Sequence, residues 1–242
     1  MRLLSGLRSC LGFLTVLPVG MGFRKYEEVA RAAWLFPAAG AAIAAIAGFA
    51  GLIADYFVPD TLSAGIALLV LLLLTGFHHL DGLLDTADAA MVRGTPEKRL
   101  KAMHDINHGV AAFGVGFFVL LLSYLAVYEA KGMLTALIVG EASAKFAMVV
   151  ACYSAGRVSH SGMGEAFVKV LRRNHRTMLL CFIMYLPFLL LAWERAPVVL
   201  ALVLIVVYAL TTGAEKAFGG ISGDVLGAVN EVSRLAALFA LV

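Results

Sequence analysis

Asp81, Asp85 and Asp88 stand four and three residues apart, directly after an apolar run at residues 62–74. On a helix that spacing puts the three carboxylates on one face. Stacked like charges repel unless a cation lies between them, and hard oxygen donors suit Mg²⁺ or a similar ion. A water-exposed acidic helix end is the plainer reading. Against it stands the position, because ionisable groups at the edge of a membrane-grade span are costly unless they line a polar site. His78 and His79 lie one turn earlier. Each is readable as a satisfied polar residue of a bundle or as a group that shifts proton or metal chemistry.

A second polar stripe lies at residues 219–234, GGISGDVLGAVNEVSR, where Asp224 and Glu231 are seven apart and Asn230 adjoins Glu231. Gly220, Gly223 and Gly227 keep that helix face small. Close packing explains the glycines but not the acids, which favours a site. Between the stripes, Gly94, Thr95, Pro96 and Glu97 read as a helix start, with Thr95 as cap and Pro96 in the first turn. The helix that follows carries Lys98, Arg99 and Lys101 towards the acids. Topology alone accounts for basic residues here, yet Arg99, with Lys98 beside it, is placed to clamp a phosphate. Asp105 closes this segment beside His104, His108 and Gly109. Gly162 and Gly164 in HSGMGEAF could bring backbone amides to an anion, although a lone GxG equally marks a surface loop. Glu141 and Lys145, four apart in an apolar stretch, read as an intrahelical ion pair facing a bundle or as the wall of a polar cavity.

The elements that must position these residues are membrane helices. The chain has 242 residues, 62% of them hydrophobic and 14% charged, with a mean hydropathy of +0.92, which excludes an ordinary soluble domain. At roughly 20 apolar residues per span, candidate spans are 32–54, 62–80, 110–128, 134–155, 178–193, 197–212 and 225–242. The fifth and sixth, separated only by Glu194, Arg195 and Ala196, suggest a tight hairpin. The seventh is interrupted by Asn230, Glu231 and Arg234. The expected fold is therefore an all-α, polytopic integral-membrane bundle of about six to seven transmembrane helices. It forms one membrane domain, 1–242, with a cytoplasmic or interfacial segment at 1–31, an aspartate-motif segment at 81–109 and a basic loop at 156–177.

Charge sets the orientation. With a cytoplasmic N-terminus, segments 1–31, 81–109, 156–177 and 213–224 fall inside and hold fifteen of the 19 Lys and Arg residues, the positive-inside pattern. Arg2, Arg8, Arg24 and Lys25 then sit beside anionic headgroups on an interfacial helix. The net charge of +3 is orientation signal and no sign of nucleic acid. Cys10, Cys152 and Cys181 lack metal-ligand spacing and read as small apolar residues. Every acidic constellation comes from the same end of the helices, and P-loop, Rossmann, Ser/His/Asp and HExxH signatures are missing. Metal–carboxylate chemistry on a phosphorylated substrate at the inner membrane surface remains.

On these residues the chain resembles cobalamin synthase, the adenosylcobinamide-GDP ribazoletransferase family of integral membrane enzymes. The specific matches are GFHHLDGLLDTADA at 76–89, KRLKAMHD at 98–105, GMG at 162–164 and GGISGDVLGAVNE at 219–231; FLTVLP at 13–18 and FPAAG at 36–40 are weaker pieces. Departures are Ala89 after the third aspartate, His104 and Asn107 where members often carry basic residues, and Ser143, Ala144, Lys145 in place of a Ser-Arg pair. The resemblance implies a Mg²⁺-dependent enzyme of the cell membrane that joins α-ribazole or its 5′-phosphate to adenosylcobinamide-GDP. The products are GMP and adenosylcobalamin or its phosphate. It also implies possible association with other enzymes of nucleotide-loop assembly. In that reaction Asp81, Asp85, Asp88 and Asp224 are expected to surround the metal. Asp105 or His79 is expected to accept the hydroxyl proton. Lys98, Arg99, Gly162, Gly164, Gly223, Asn230 and Glu231 are expected to meet substrate.

Two other classes compete. A CDP-alcohol phosphotransferase also places aspartates at an inner helix end, but its Ala-Arg pair after the first Asp-Gly and its final DxxxD are missing here. A cation transporter would use the carboxylates as a path, but the acids cluster on one side and no inverted repeat is visible.

Overall fold

The computed structural model describes residues 3–19, 25–105, 107 and 109–242; Arg2, Arg24 and His108, singled out above, lie outside the described residues. Among the described residues, twelve α-helices follow one another. They are α1 (Leu3–Leu14), α2 (Tyr26–Ala32), α3 (Phe36–Ala54), α4 (Asp60–Leu74), α5 (His78–Met91), α6 (Pro96–Met103), α7 (Val110–Glu129), α8 (Met133–Ser154), α9 (Met163–Leu171), α10 (His175–Leu189), α11 (Ala196–Phe218) and α12 (Gly223–Phe239). Among the described residues one isolated bridge, Val158 with Ile221, is the sole strand-like pairing.

Among the described residues, five helical stretches are long and apolar enough to cross a membrane: Tyr26–Ala54, Val110–Glu129, Met133–Ser154, His175–Ala192 and Ala196–Phe218. The fold is an all-α membrane bundle, as the composition requires. The span expected at 62–80 is corrected. Its helix stops at Leu74, and α5 leaves at 88° to α4. A Schellman stop makes the break: Gly76 N bonds Leu73 O at 3.1 Å and Phe77 N bonds Leu72 O at 3.1 Å. Gly76 (φ 60°) and Phe77 (φ 58°) are both left-handed. For Phe77 that costs about 1–3 kcal/mol, offset in part by Asp81 N bonding its carbonyl at 2.9 Å. The two helices together form at most one broken span.

The stretch expected at 225–242 is α12, which is enclosed by protein: α5, α7, α8 and α11 all pack on it, and its residues from Val225 to Glu231 are all buried. Around Glu194, where a tight hairpin is expected, α10 passes through a short 3-10 turn into the longer α11, but the two helices pack mainly on α8 and other elements and not on each other. Small residues let the central helices approach. A Cβ added at Gly40 of α3 would lie 2.8 Å from the Glu141 carbonyl of α8, and one at Gly48 would lie 3.2 Å from Leu134 Cα. Close backbone contact through small residues is how helices associate where apolar burial supplies no drive.

Candidate active site

Two glycines bring the two acidic stripes together. A Cβ on Gly82 of α5 would stand 2.8 Å from the Asp224 carbonyl oxygen and 2.9 Å from Asp224 Cα. One on Gly227 of α12 would stand 2.8 Å from the His79 carbonyl oxygen. The helices cross backbone to backbone, so Asp81, one residue before Gly82, and Asp224 reach the same space. That space is a cavity of about 360 Å³. Its polar lining is His78, His79, Asp81 and Asp224, together with Gly223 and Gly227. The rest of its wall is apolar, from Phe13, Tyr26, Met148, Met163, Phe167 and Leu226.

Neighbouring loops hold this crossing in place. Ser222 caps α12, its Oγ accepting from Val225 N at 3.2 Å and lying 3.3 Å from Asp224 Oδ2. Ile221 N bonds Arg157 O at 3.1 Å and Ser159 N bonds Ile221 O at 3.1 Å, which ties the loop before α9 to the chain before α12. Gly164 permits the fit, since a Cβ there would meet Gly223 N at 2.9 Å. At the other end of that loop Gly156 N donates to Glu215 Oε1 at 2.6 Å. The His104 and His160 rings meet edge-to-face at 4.9 Å, and Met103 Sδ lies 3.6 Å from Ser222 Oγ. The segments 81–109 and 156–177 therefore lie on one side of the bundle.

The four expected metal-site carboxylates do not form one gathered set. Among the described residues, no group of three or more His, Cys, Asp or Glu side chains is arranged to hold a metal ion. Asp81 and Asp224 line the cavity, and Asp85 is a turn further along α5. Asp88 turns to α7 instead. It accepts from Ala112 N at 2.8 Å and from Gly109 N, occupying amides that a helix start leaves unpaired. The donor chemistry, hard carboxylate oxygens from two helices at one cavity, still suits Mg²⁺.

Of the other expected residues, His79 and Gly223 line the cavity. His79 is 8% exposed, and its Nδ1 is buried with no hydrogen-bond partner. Asp105 is exposed and outside the lining. Its carboxylate accepts from Asn107 N at 3.0 Å, which holds it below the usual aspartate range. Arg99, half-buried, and Lys98, exposed, sit on α6 away from the lining, and Gly162 and Gly164 serve the start of α9.

Asn230 and Glu231 sit deeper, in a sealed ionic network between α8 and α12. Lys145 Nζ donates to Asn230 Oδ1 at 2.7 Å and pairs with Glu141. Arg234 pairs with Glu231 and approaches Glu141 Oε2 at 3.5 Å. Asn230 Nδ2 donates to Glu231 Oε1 at 3.1 Å. All five residues are at most 1% exposed. The expected Glu141–Lys145 pair is present and faces the bundle. Sequence reasoning treated Arg234 as an interruption. Its spacing of three from Glu231 was the available signal. Phe13, Tyr26 and Phe167 also went unremarked as cavity residues, and nothing in their separate positions linked them.

The whole chain is similar to proteins of one kind. Residues 6–242 match the model of the family described as cobalamin-5-phosphate synthase. Curated relatives named adenosylcobinamide-GDP ribazoletransferase include one from Haloquadratum walsbyi, 34% identical, covering 98% of this chain and 96% of the relative. Another, from Thermococcus onnurineus, is 32% identical, covering 96% and 95%. A third, from Methanocella arvoryzae, is 29% identical, covering 98% and 95%. No solved structure matches the chain. With a family match that spans nearly its full length, the chain belongs to the cobalamin-5-phosphate synthase family.

Proposed function

We propose that this protein joins α-ribazole, or its 5′-phosphate, to adenosylcobinamide-GDP and releases GMP, by metal-assisted phosphoryl transfer on the cytoplasmic face of the cell membrane. The observation that carries the reading is the α5–α12 crossing, which delivers Asp81 and Asp224 to one cavity beside His79. The relatives' printed name specifies the substrates, and the excess of Lys and Arg in the segments on the cavity side favours a cytoplasmic face.

The chemistry follows from the residues. A ribazole hydroxyl attacks the phosphorus on the cobinamide side of the pyrophosphate. The bond from that phosphorus to the bridging oxygen breaks, and GMP leaves with that oxygen. Asp81 and Asp224 would hold Mg²⁺, with Asp85 the nearest further carboxylate on α5; the ion would neutralise charge on the pyrophosphate. His79 lies on the cavity wall and is better placed than Asp105 to accept the hydroxyl proton. Asp105, exposed and already engaged by Asn107, is worse placed. Asp88 contributes by anchoring α7 to α5.

Purified protein in detergent or lipid, given adenosylcobinamide-GDP, α-ribazole and Mg²⁺, is expected to release GMP and form a complete corrinoid. GMP should not appear when α-ribazole is omitted. Failure with this pair, combined with turnover of a CDP-alcohol and an alcohol acceptor, would replace the reading with the phosphotransferase one.

A further inference from the structure

Glu215 stands in the last turn of α11, where a carboxylate is out of place. A helix C-terminus carries negative partial charge and favours a base, a rule that its neighbour Lys216 obeys. The acid is used elsewhere. Glu215 Oε1 accepts from Gly156 N at 2.6 Å and from Arg157 N at 3.3 Å. One carboxylate oxygen thereby takes two consecutive amides where the chain leaves α8. A Cβ on Gly156 would lie 2.6 Å from that same oxygen, so the approach depends on glycine there.

The loop that Glu215 grips is also the one that clasps the start of α12. While the Arg157 amide faces α11, its carbonyl accepts from Ile221 N at 3.1 Å, and Ser159 N returns a bond to Ile221 O at 3.1 Å. Gly220 shows how tight the clasp is, since a Cβ there would lie 2.5 Å from the Val158 carbonyl carbon. Ile221 is fully buried. The next residue, Ser222, caps α12 through Val225 N and lies 3.3 Å from Asp224 Oδ2. A continuous path of bonds therefore runs from Glu215 through Arg157, Ile221 and Ser222 to the carboxylate of Asp224.

We propose that Glu215 is a positioning residue for the cavity. By fixing the 156–159 loop it sets the course of the chain at Ile221 and Ser222, and with it the orientation of the Asp224 carboxylate. The inference rests on the metal-assisted reading above, in which Asp224 holds the ion. Three observations argue for it. First, the close contact at Gly82 is with the backbone of Asp224, so the helix crossing sets where that residue stands, while Ser222 meets its carboxylate. Second, the link between α11 and α12 begins at Gly219, which is left-handed at φ 80°. Glycine's conformational freedom leaves the direction of such a link to its outside contacts. The bridge to the loop consists of neutral backbone bonds, whereas bonds to an ionised acceptor are roughly twice as strong. Third, Glu215 lies outside the cavity lining, so its effect passes through the loop.

The test compares two substitutions. Glu215→Ala removes the acceptor, and Glu215→Gln restores a neutral one of the same reach. On the full chain in detergent, four quantities are measured: thermal unfolding, amide hydrogen exchange in peptides covering 154–160 and 219–226, Mn²⁺ affinity by electron paramagnetic resonance with adenosylcobinamide-GDP present, and kcat. In Glu215→Ala, exchange is expected to quicken about tenfold in both peptides, Mn²⁺ affinity to fall about fivefold and kcat about tenfold, with unfolding little changed. Glu215→Gln should recover most of each loss. Faster exchange confined to 154–160, with Mn²⁺ affinity unaltered, would show that the loop does not orient Asp224 and overturn the proposal. Unchanged exchange in both peptides would overturn it as well. Equal losses in the two variants, with unfolding lowered in both, would assign Glu215 to general stability and overturn it too. Should the unmodified protein bind no Mn²⁺, the metal-assisted reading fails instead, and exchange at 219–226 would still decide whether Glu215 fixes the start of α12.

Discussion

Helix α12 carries charge in two places, and they are built to opposite rules. Deep in the bundle, Glu231 and Arg234 join Glu141 and Lys145 of α8, two acids against two bases, closed off and knit by Asn230. Seven residues earlier on the same helix, Asp224 opens into a cavity whose lining, among the described residues, holds two carboxylates and two histidines but no lysine or arginine. Both regions place acids inside a membrane bundle. One neutralises them within the protein, and the other keeps them accessible to something that arrives. Polarity inside the membrane is thus no mark of a site by itself. Charge imbalance together with access is the mark, and here that selects the α5–α12 crossing.

The comparison can be strained at either region. The largest effect is expected in the sealed network. Arg234→Met leaves Glu231 and Glu141 buried with one cation between them, and losing one partner of such a network costs about 3–5 kcal/mol. Chemical unfolding in detergent should show it. A variant with unaltered stability would mean that the network is wet or open, and the contrast with the cavity would disappear.

At the cavity the expected loss is of rate, with stability unchanged. Asp81→Asn or Asp85→Asn should lower turnover at least about a hundredfold, the scale of a removed electrostatic element, while thermal unfolding stays where it was. Asp55→Asn and Asp60→Asn supply the controls. They lie at the opposite end of α4, where Asp55 accepts from Ser63 at 2.9 Å, and turnover should not move.

Smaller effects probe how the cavity is assembled. Gly82→Ala drives a methyl group towards backbone atoms 2.8 and 2.9 Å away, so the helices must part, at about 1–3 kcal/mol. Turnover should fall although no reacting group is touched. Wild-type turnover in Gly82→Ala would show that the close crossing does not position the acids.

The smallest effect concerns Asp105. Hydrogen bonds from Asn107 depress its carboxyl below the ordinary value, so any order it lends the loop is present above the usual aspartate range of about 4. That order is lost as pH falls through the depressed value. An NMR titration of the carboxyl carbon should show a midpoint below that range, and Asp105→Asn should leave turnover within a few-fold. A normal midpoint would mean the loop is not held as described.

Much of this was legible in the residues. Hydropathy exposes the long helices, and the four-and-three spacing of the aspartates puts them on one helix, as α5 confirms. The break between α4 and α5 was not legible, because Phe77 reads as a membrane residue and its left-handed backbone depends on the stop formed by Gly76. Nor did spacing reveal that Asp88 serves α7, since its partners, Gly109 and Ala112, are more than twenty residues away. The aromatic lining of the cavity is the extreme case. Phe13 and Phe167 meet at 5.2 Å across most of the chain, and long-range packing of that kind leaves no periodic trace.

The most direct test of the central claim is divalent-metal binding, read by electron paramagnetic resonance of Mn²⁺ titrated into the purified protein with adenosylcobinamide-GDP present. The unmodified protein should bind Mn²⁺. Asp81→Asn combined with Asp224→Asn should abolish that binding in a protein that still unfolds at the same temperature. If the doubly substituted protein bound Mn²⁺ as tightly as the original, the α5–α12 crossing would not be the metal site, and the account would be wrong at its centre.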